Sequence, residues 1–153
     1  MIKFWKIWDR QNNTNFPYWQ FSNFASFPFE VDGVRYKTSE HYYQSHKALN
    51  PYDFKIICDA KTPKEAAEIG RRIKTFDDWD DRKDGVMFKV LKAKFDAYPE
   101  LRALLVNTGE EEIAEDSPMD YYWGIGKDGS GKSMLGVLLM NLREDYINEG
   151  KRN

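Results

Sequence analysis

The sequence predicts a single α+β domain, mostly helical, with a small antiparallel β element near its N-terminus. Three observations carry that expectation. The chain has 153 residues, about the length of one domain. No internal repeat, low-complexity tract or Pro/Gly-rich linker divides it, so 1–153 reads as one domain. Its first third is made of short apolar runs broken by turn residues, whereas beyond Ser39 apolar residues recur at helical spacing. A chain of this size buries a full core without disulfides or metal.

Taken in order, Phe27-Pro28-Phe29-Glu30-Val31 and Val34-Arg35-Tyr36-Lys37 flank Asp32-Gly33, a dipeptide favoured in two-residue hairpin turns. Ser39 is placed to cap a helix through Leu49, ended by Pro51. Thr62-Pro63 opens another, to Arg72, with Thr62 as cap and Pro63 in the first helical position. Asp80 or Asp81 opens the longest helix, whose Val86, Met87, Val90, Leu91, Lys94 and Phe95 share a face. A short helix spans Leu101 to Val106 after Pro99. The last runs from Met134 to Ile147, burying Leu135, Leu138, Leu139 and Leu142.

Lys and Arg number 23 against 25 Asp and Glu, a formal charge of −2. That balance argues against a nucleic-acid coat or a polybasic membrane binder, while leaving room for a local basic patch. The single cysteine, Cys58, excludes an internal disulfide and a cysteine-rich zinc site. A free thiol suits a reducing interior, so a cytoplasmic location is expected. No run approaches the ~18 apolar residues of a membrane span, and Met1 to Lys6 lacks the pattern of a signal peptide. His41 and His46 stand about 140° apart on a helix at about 100° per residue, so no shared metal is expected from them. Aromatics are the unusual feature. Of 24 rings, 14 lie in the first 52 residues, enough to supply both a core and a stacking surface for a flat ligand.

Four patterns bear on chemistry. Gly126-Lys127-Asp128-Gly129-Ser130-Gly131-Lys132-Ser133 satisfies the phosphate-loop pattern G-x-x-x-x-G-K-[ST]. The preceding Asp120-Tyr121-Tyr122-Trp123 is no Val/Ile strand, however, and 20 residues after Ser133 leave too little chain for the rest of an NTPase. A weaker role survives, in which amides of Gly129 to Ser133 at a helix start hold an anion. On the helix after the hairpin, Glu40, Gln44 and Lys47 fall within about 60° of one another with Tyr43 beside them. That stripe offers a carboxylate, an amide and an amine, or else a merely solvated face. Asp77, Asp78, Asp80 and Asp81 surround Trp79, where capping alone explains two of them. Glu115 to Gly124 is a turn dense in acids and rings.

In order along the chain, these blocks resemble one family. Phe21-Ser22-Asn23-Phe24, Phe29-Glu30-Val31-Asp32-Gly33 and Tyr36-x-Thr38-Ser39-Glu40-His41-Tyr42-x-Gln44-x-x-Lys47-Ala48 are followed by Gly70-Arg71, Trp79-Asp80, Val86-Met87 and Lys94-Phe95. Thr108-Gly109, Glu115-x-Ser117-Pro118-x-Asp120, Trp123-Gly124-x-Gly126 and Leu135-Gly136-x-x-Leu139-Met140-x-x-Arg143 complete the pattern. Over residues 20 to 145 the sequence resembles the NADAR family. The resemblance implies an N-glycosidase that cleaves the base–ribose bond of early riboflavin-pathway intermediates or removes ADP-ribose from guanine. That cleavage needs a carboxylate to stabilise C1′ or activate water and an acid to protonate the base, for which Glu40 and Asp120 are the candidates. Lys47 admits a second, Schiff-base route. Asn23, Phe24, Tyr43, Gln44, Arg71, Trp79, Asp80, Trp123, Gly131 and Ser133 are implied as substrate contacts. The stretch after Trp123-Gly124-x-Gly126 is shorter than the family's, and Ser133 stands where Asn is usual. The expected partner is a nucleotide-like small molecule or an ADP-ribosylated nucleic-acid base, with no cofactor, metal, membrane or obligate protein partner. Two other classes compete: a non-catalytic ADP-ribose or nucleotide reader, and a P-loop NTPase.

Overall fold

The computed structural model describes residues 1–152. Along the chain run strands β1 (Ile2–Phe4), β2 (Trp8–Asp9) and β3 (Thr14–Asn15), a 3-10 turn (Trp19–Phe21), then β4 (Phe29–Val31) and β5 (Val34–Tyr36). Helices α1 (Ser39–Ser45), α2 (Pro51–Cys58), α3 (Pro63–Arg72), α4 (Trp79–Ala97) and α5 (Pro99–Val106) follow. Strand β6 (Ile113–Glu115) and helix α6 (Met134–Arg152) end the chain. The fold is α+β and predominantly helical, with short strands in two-stranded pairs. The residues form two compact units: Asn23–Ala97 is contiguous, and Met1–Ser22 joins the chain from Tyr98 onward to make a split unit.

In the contiguous unit β4 and β5 pair antiparallel, with Phe29 opposite Tyr36 and Val31 opposite Val34. Asp32 and Gly33 both take left-handed backbone angles, φ 51° and 79°, as a hairpin turn matched to strand twist requires. The Phe29 and Tyr36 rings stack at 5.7 Å, and Tyr42 of α1 meets Tyr36 edge-on at 4.9 Å. That contact seats α1 on the hairpin, and α1 then packs against α2, α3 and α4.

The predicted helix after the hairpin is corrected at both ends. Its cap is Thr38, whose hydroxyl accepts from the His41 amide at 3.2 Å, and it stops at Ser45 rather than Leu49. Pro51 does not end that helix; it begins α2. Asn50 caps α2 by accepting from the Asp53 amide at 2.8 Å, and a proline at the first helical position loses no intrahelical hydrogen bond. Helix α3 runs as predicted, with Thr62 accepting from the Glu65 amide at 3.1 Å. Ile57, Ala60 and Ala66 are buried with Ile69 and Ile73 packed against them. Helix α4 opens at Trp79, one residue before the predicted start, and buries Met87, Val90, Leu91, Lys94 and Phe95. Lys94 is fully buried, with its ammonium 5.4 Å from the Phe27 ring centre and 5.5 Å from that of Phe95.

In the split unit β1 pairs in parallel with β6, placing Ile2 beside Ile113 and Phe4 beside Glu115. This pairing leaves no sign in the sequence, because each strand has only three residues. Helix α6 lies on β6 and buries Leu135, Leu138, Leu139, Leu142 and Tyr146. It continues to Arg152, beyond the predicted Ile147. Buried Arg143 donates from Nη1 to Thr108 Oγ1 at 2.9 Å and to the Glu111 carbonyl at 2.7 Å, tying α6 to the loop after α5. No helix among the described residues is long and apolar enough to cross a membrane.

Candidate active site

Helix α1 supplies the centre. Its sequence turns Glu40, Gln44 and Lys47 to one side, Lys47 lying just past the last helical residue. The structure removes the solvated-face alternative. Gln44 is buried, and Glu40 and Lys47 are half-buried. Gln44 Nε2 donates to Glu40 Oε1 at 2.8 Å. That bond stabilises the ionised carboxylate and fixes its orientation. The other end of the amide, Gln44 Oε1, is buried without a hydrogen-bond partner. The Glu40 amide donates to the Asn23 carbonyl at 3.1 Å, anchoring the start of α1 to the loop that carries Asn23 and Phe24.

Two rings and a cation complete the cluster. Buried Tyr43 faces half-buried Trp79, centroids 5.4 Å apart and planes 34° apart. Lys47 Nζ lies 5.5 Å from the Tyr43 ring centre and 5.9 Å from that of Trp79. Burial pushes the Lys47 amine below its ordinary value. Glu40 opposes that shift, while the charges of Arg71 and Lys83 add to it. The site therefore joins an oriented carboxylate, an amine with raised access to its neutral form, and an aromatic wall, all within Asn23–Ala97.

The remaining expected residues of this unit differ in exposure and partners. Arg71 is exposed in the last turn of α3. Asp80 is 89% exposed and accepts from Lys83 Nζ at 3.1 Å. Asn23 is buried, its Nδ2 donating to Met87 Sδ at 3.3 Å while its Oδ1 has no hydrogen-bond partner. Phe24 is exposed and lines a cavity of about 310 Å³ that Arg35, Lys37 and Lys61 also border.

In the split unit, Asp120 Oδ1 accepts the amides of Tyr122 and Trp123 at 2.9 and 2.8 Å, so this oxygen braces the turn. The Trp123 ring meets Tyr122 edge-on at 4.9 Å. The anion role expected for the amides of Gly129 to Ser133 does not hold. Gly129 donates to Gly126, Gly131 to Ile125, Lys132 to Tyr121 and Ser133 to Gly124, while the Ser130 amide donates to Asp128 Oδ1. With all five amides engaged, no bare backbone nest remains there for a phosphate. Gly131 serves close packing instead: a Cβ there would lie 2.4 Å from the Gly124 carbonyl oxygen. Ser133 Oγ accepts the Glu115 amide at 3.2 Å. The phosphate-loop NTPase reading falls with it, since the segment before the loop is a turn.

His41 and His46 are held by backbone: His41 Nε2 lies 2.9 Å from the Ala60 carbonyl oxygen, and His46 Nδ1 2.7 Å from that of Tyr42. Burial lowers both imidazole pKa values. Among the described residues no group of three or more His, Cys, Asp or Glu is arranged to hold a metal ion.

Comparison with known proteins gives this geometry its family. The NADAR domain model matches residues 4–146. The chain belongs to the NADAR family. It is 45% identical to the N-glycosidase YbiA of Escherichia coli (strain K12) over 139 residues, 90% of this chain and 87% of that protein. It is 38% identical to the chloroplastic riboflavin biosynthesis protein PYRR of Zea mays over 164 residues, covering 96% of this chain and 25% of that protein. The NMR structure of E. coli YbiA matches with a TM-score of 0.85 at 39% identity, covering 100% of this chain and 90% of that one.

Within this NADAR chain, sequence reasoning gave no role to two contributors to the α1 cluster, Lys83 and Gly70. Lys83 gave no signal beyond one more charge on a helix. Asn23 was implicated by resemblance, yet its buried, unpartnered Oδ1 has no sequence signature. Gly70 did leave a trace, as a glycine inside a helix with no turn to explain it.

Proposed function

We propose that the chain hydrolyses the N-glycosidic bond between an amino-substituted base and C1′ of a phosphorylated ribose. It is an N-glycosidase, a hydrolase of the NADAR family. Relatives named for N-glycosidase activity and riboflavin biosynthesis support this substrate class. Riboflavin intermediates and ADP-ribosylated guanine both belong to it. We assign the chain a cytoplasmic location and a single domain over 1–153.

The observation that carries the mechanism is Glu40 held by Gln44 on the same helical face as a half-buried Lys47 that lies against Tyr43 and Trp79. Breaking the bond leaves C1′ cation-like and sends the bonding electron pair to the base nitrogen. Glu40 stabilises that carbon and takes a proton from the attacking water, while the departing base takes a proton from solvent. Tyr43 and Trp79 supply flat apolar area for the base.

The lowered pKa of Lys47 favours a second route. Its neutral amine attacks C1′ of the ring-opened ribose, the base leaves with the C–N electron pair and a proton, and the imine so formed is hydrolysed to the sugar and free amine. Incubation with ADP-ribosylated guanine DNA and with riboflavin intermediates, followed for released base, tests the activity. Borohydride added during turnover separates the routes: a sugar adduct on Lys47 establishes the imine, and an unmodified active enzyme establishes direct hydrolysis. Glu40→Gln keeps shape and hydrogen bonding but removes the proton acceptor, so turnover falls at least a hundredfold, in the range of general-base loss. Near-normal turnover in that variant removes Glu40 from the mechanism.

A further inference from the structure

We propose that Gly70 is a positioning residue for the Glu40 carboxylate and acts through Gln44. The inference rests on the reading of Glu40 as the catalytic carboxylate and adds a residue that itself carries no reactive group.

Glycine is the poorest helix former after proline, yet Gly70 lies inside α3 and is buried. Its backbone has no left-handed angle, so conformation does not require glycine there. Space does. A Cβ on Gly70 would stand 1.9 Å from Gln44 Oε1, 2.7 Å from its Cδ and 3.1 Å from its Cβ. The carboxamide of Gln44 therefore lies against the bare Cα of Gly70, oxygen end nearest, where α1 and α3 pack. By contrast, a Cβ on Gly85 of α4 would meet nothing within 4 Å.

The seat gives the amide its place, and the Glu40 carboxylate fixes which way it faces. With Oε1 against Gly70, Nε2 points along α1 and donates to Glu40 Oε1 at 2.8 Å. A half-turn of the amide would set Oε1 against the carboxylate oxygen, two acceptors in repulsion. Oε1 itself gains no hydrogen bond, although Gln44 is only 6% exposed. A buried acceptor left without a partner is costly and rare. A leucine or methionine would fill the same space without that cost. What the amide supplies, and an apolar side chain does not, is the donor to Glu40.

The test is steady-state kinetics on the full chain, reading released base, for Gly70→Ala, Gln44→Ala, Gln44→Leu, the Gln44→Ala/Gly70→Ala pair and Glu40→Gln. Gly70→Ala is expected to lower kcat at least tenfold with KM changed less than twofold. The acid limb of its kcat–pH profile moves to higher pH, because a carboxylate that loses a donor protonates more readily. Gln44→Ala and Gln44→Leu give the same loss and the same movement. Adding Gly70→Ala to Gln44→Ala causes little further loss, since the shortened side chain removes the two closest approaches, those of Oε1 and Cδ. If Gly70→Ala alone does not fold, the pair, in which only the 3.1 Å approach to the Cβ of residue 44 remains, and Gln44→Leu carry the test. Normal kcat in folded Gly70→Ala or Gln44→Leu, or independent multiplying losses in the pair, overturns the inference. Full turnover by Glu40→Gln overturns the reading of Glu40 and the inference with it; an inactive Glu40→Gln beside a fully active Gly70→Ala overturns the inference alone.

Discussion

At the scale of single residues, chemistry depends on what each polar atom already holds. Asp120 and Glu40 are both carboxylates, but one Asp120 oxygen is taken up by two backbone amides while Glu40 receives a side-chain donor. Asp120→Asn keeps an oxygen for those amides and removes the charge. We expect melting temperature within about 2 °C of the parent and retained turnover. Loss of turnover without loss of stability, measured on the same preparation, instead gives Asp120 a proton-transfer role. For Lys47 the sign is fixed by burial: a lowered amine pKa means that any step needing the neutral amine speeds up as pH rises and levels off below the ordinary lysine value. The kcat–pH profile reads this directly. Helical angles alone showed Glu40, Gln44 and Lys47 to share a face. They did not show that the face is buried, because burial is set by Gly70 and Trp79, far along the chain.

Helices and strands were legible wherever a cap and a periodic face agreed. Thr62-Pro63 marks the start of α3, and the leucine stripe marks α6. The failure came at Pro51, where the same residue type reads as a stop for one helix or a start for the next; Asn50 just before it decides for a start. Strands of two or three residues carry too little alternation to be seen, so β1 and β6 were missed. Glycines inside helices separate the forces at work on an element. A Cβ on Gly136 of α6 would stand 2.0 Å from the Ile113 carbonyl oxygen of β6, a backbone atom that has no rotamer to move. Gly136→Ala therefore loses about 1–3 kcal/mol through overpacking, despite a gain in helix propensity. Gly85→Ala, in open space, gains up to about 1 kcal/mol. Thermal melts of the two variants should move in opposite directions.

For the whole molecule, charge balance was plain from composition, but the ionisation that matters for stability was not. Lys94 is fully buried and its pKa is pushed down to about 7 by loss of solvent. The unfolded chain holds that proton up to the ordinary lysine value of 10.5 while the folded chain releases it from about 7. Stability therefore rises with pH across that window, by about 1.4 kcal/mol per unit at most. Above about pH 9 the Cys58 thiol, pushed up by burial, begins to oppose the rise. Below the ordinary histidine value of 6.5 the neutral, buried His41 and His46 make stability fall with falling pH. Lys94→Met should flatten the rise between pH 7 and 8.5 and raise stability at pH 7, as read by denaturant midpoints. An unchanged slope would mean that Lys94 keeps its charge in the fold.

The parallel pair of β1 and β6 sets a timetable for synthesis. Ile2 leaves the ribosome long before Ile113, its partner, so the first strand must wait unpaired while more than a hundred residues follow. Asn23–Ala97 needs no later residue to close its own contacts, and it is complete while the opening strand is still without a neighbour. Closing the long loop between β1 and β6 is entropically dearer than any hairpin in the chain, though the cost grows only slowly with length. During synthesis the capture of the N-terminal strand therefore waits until Ile113 has left the ribosome. Slow synthesis or a stalled chain ending before Ile113 would leave the exposed edge of β1 to pair with other chains.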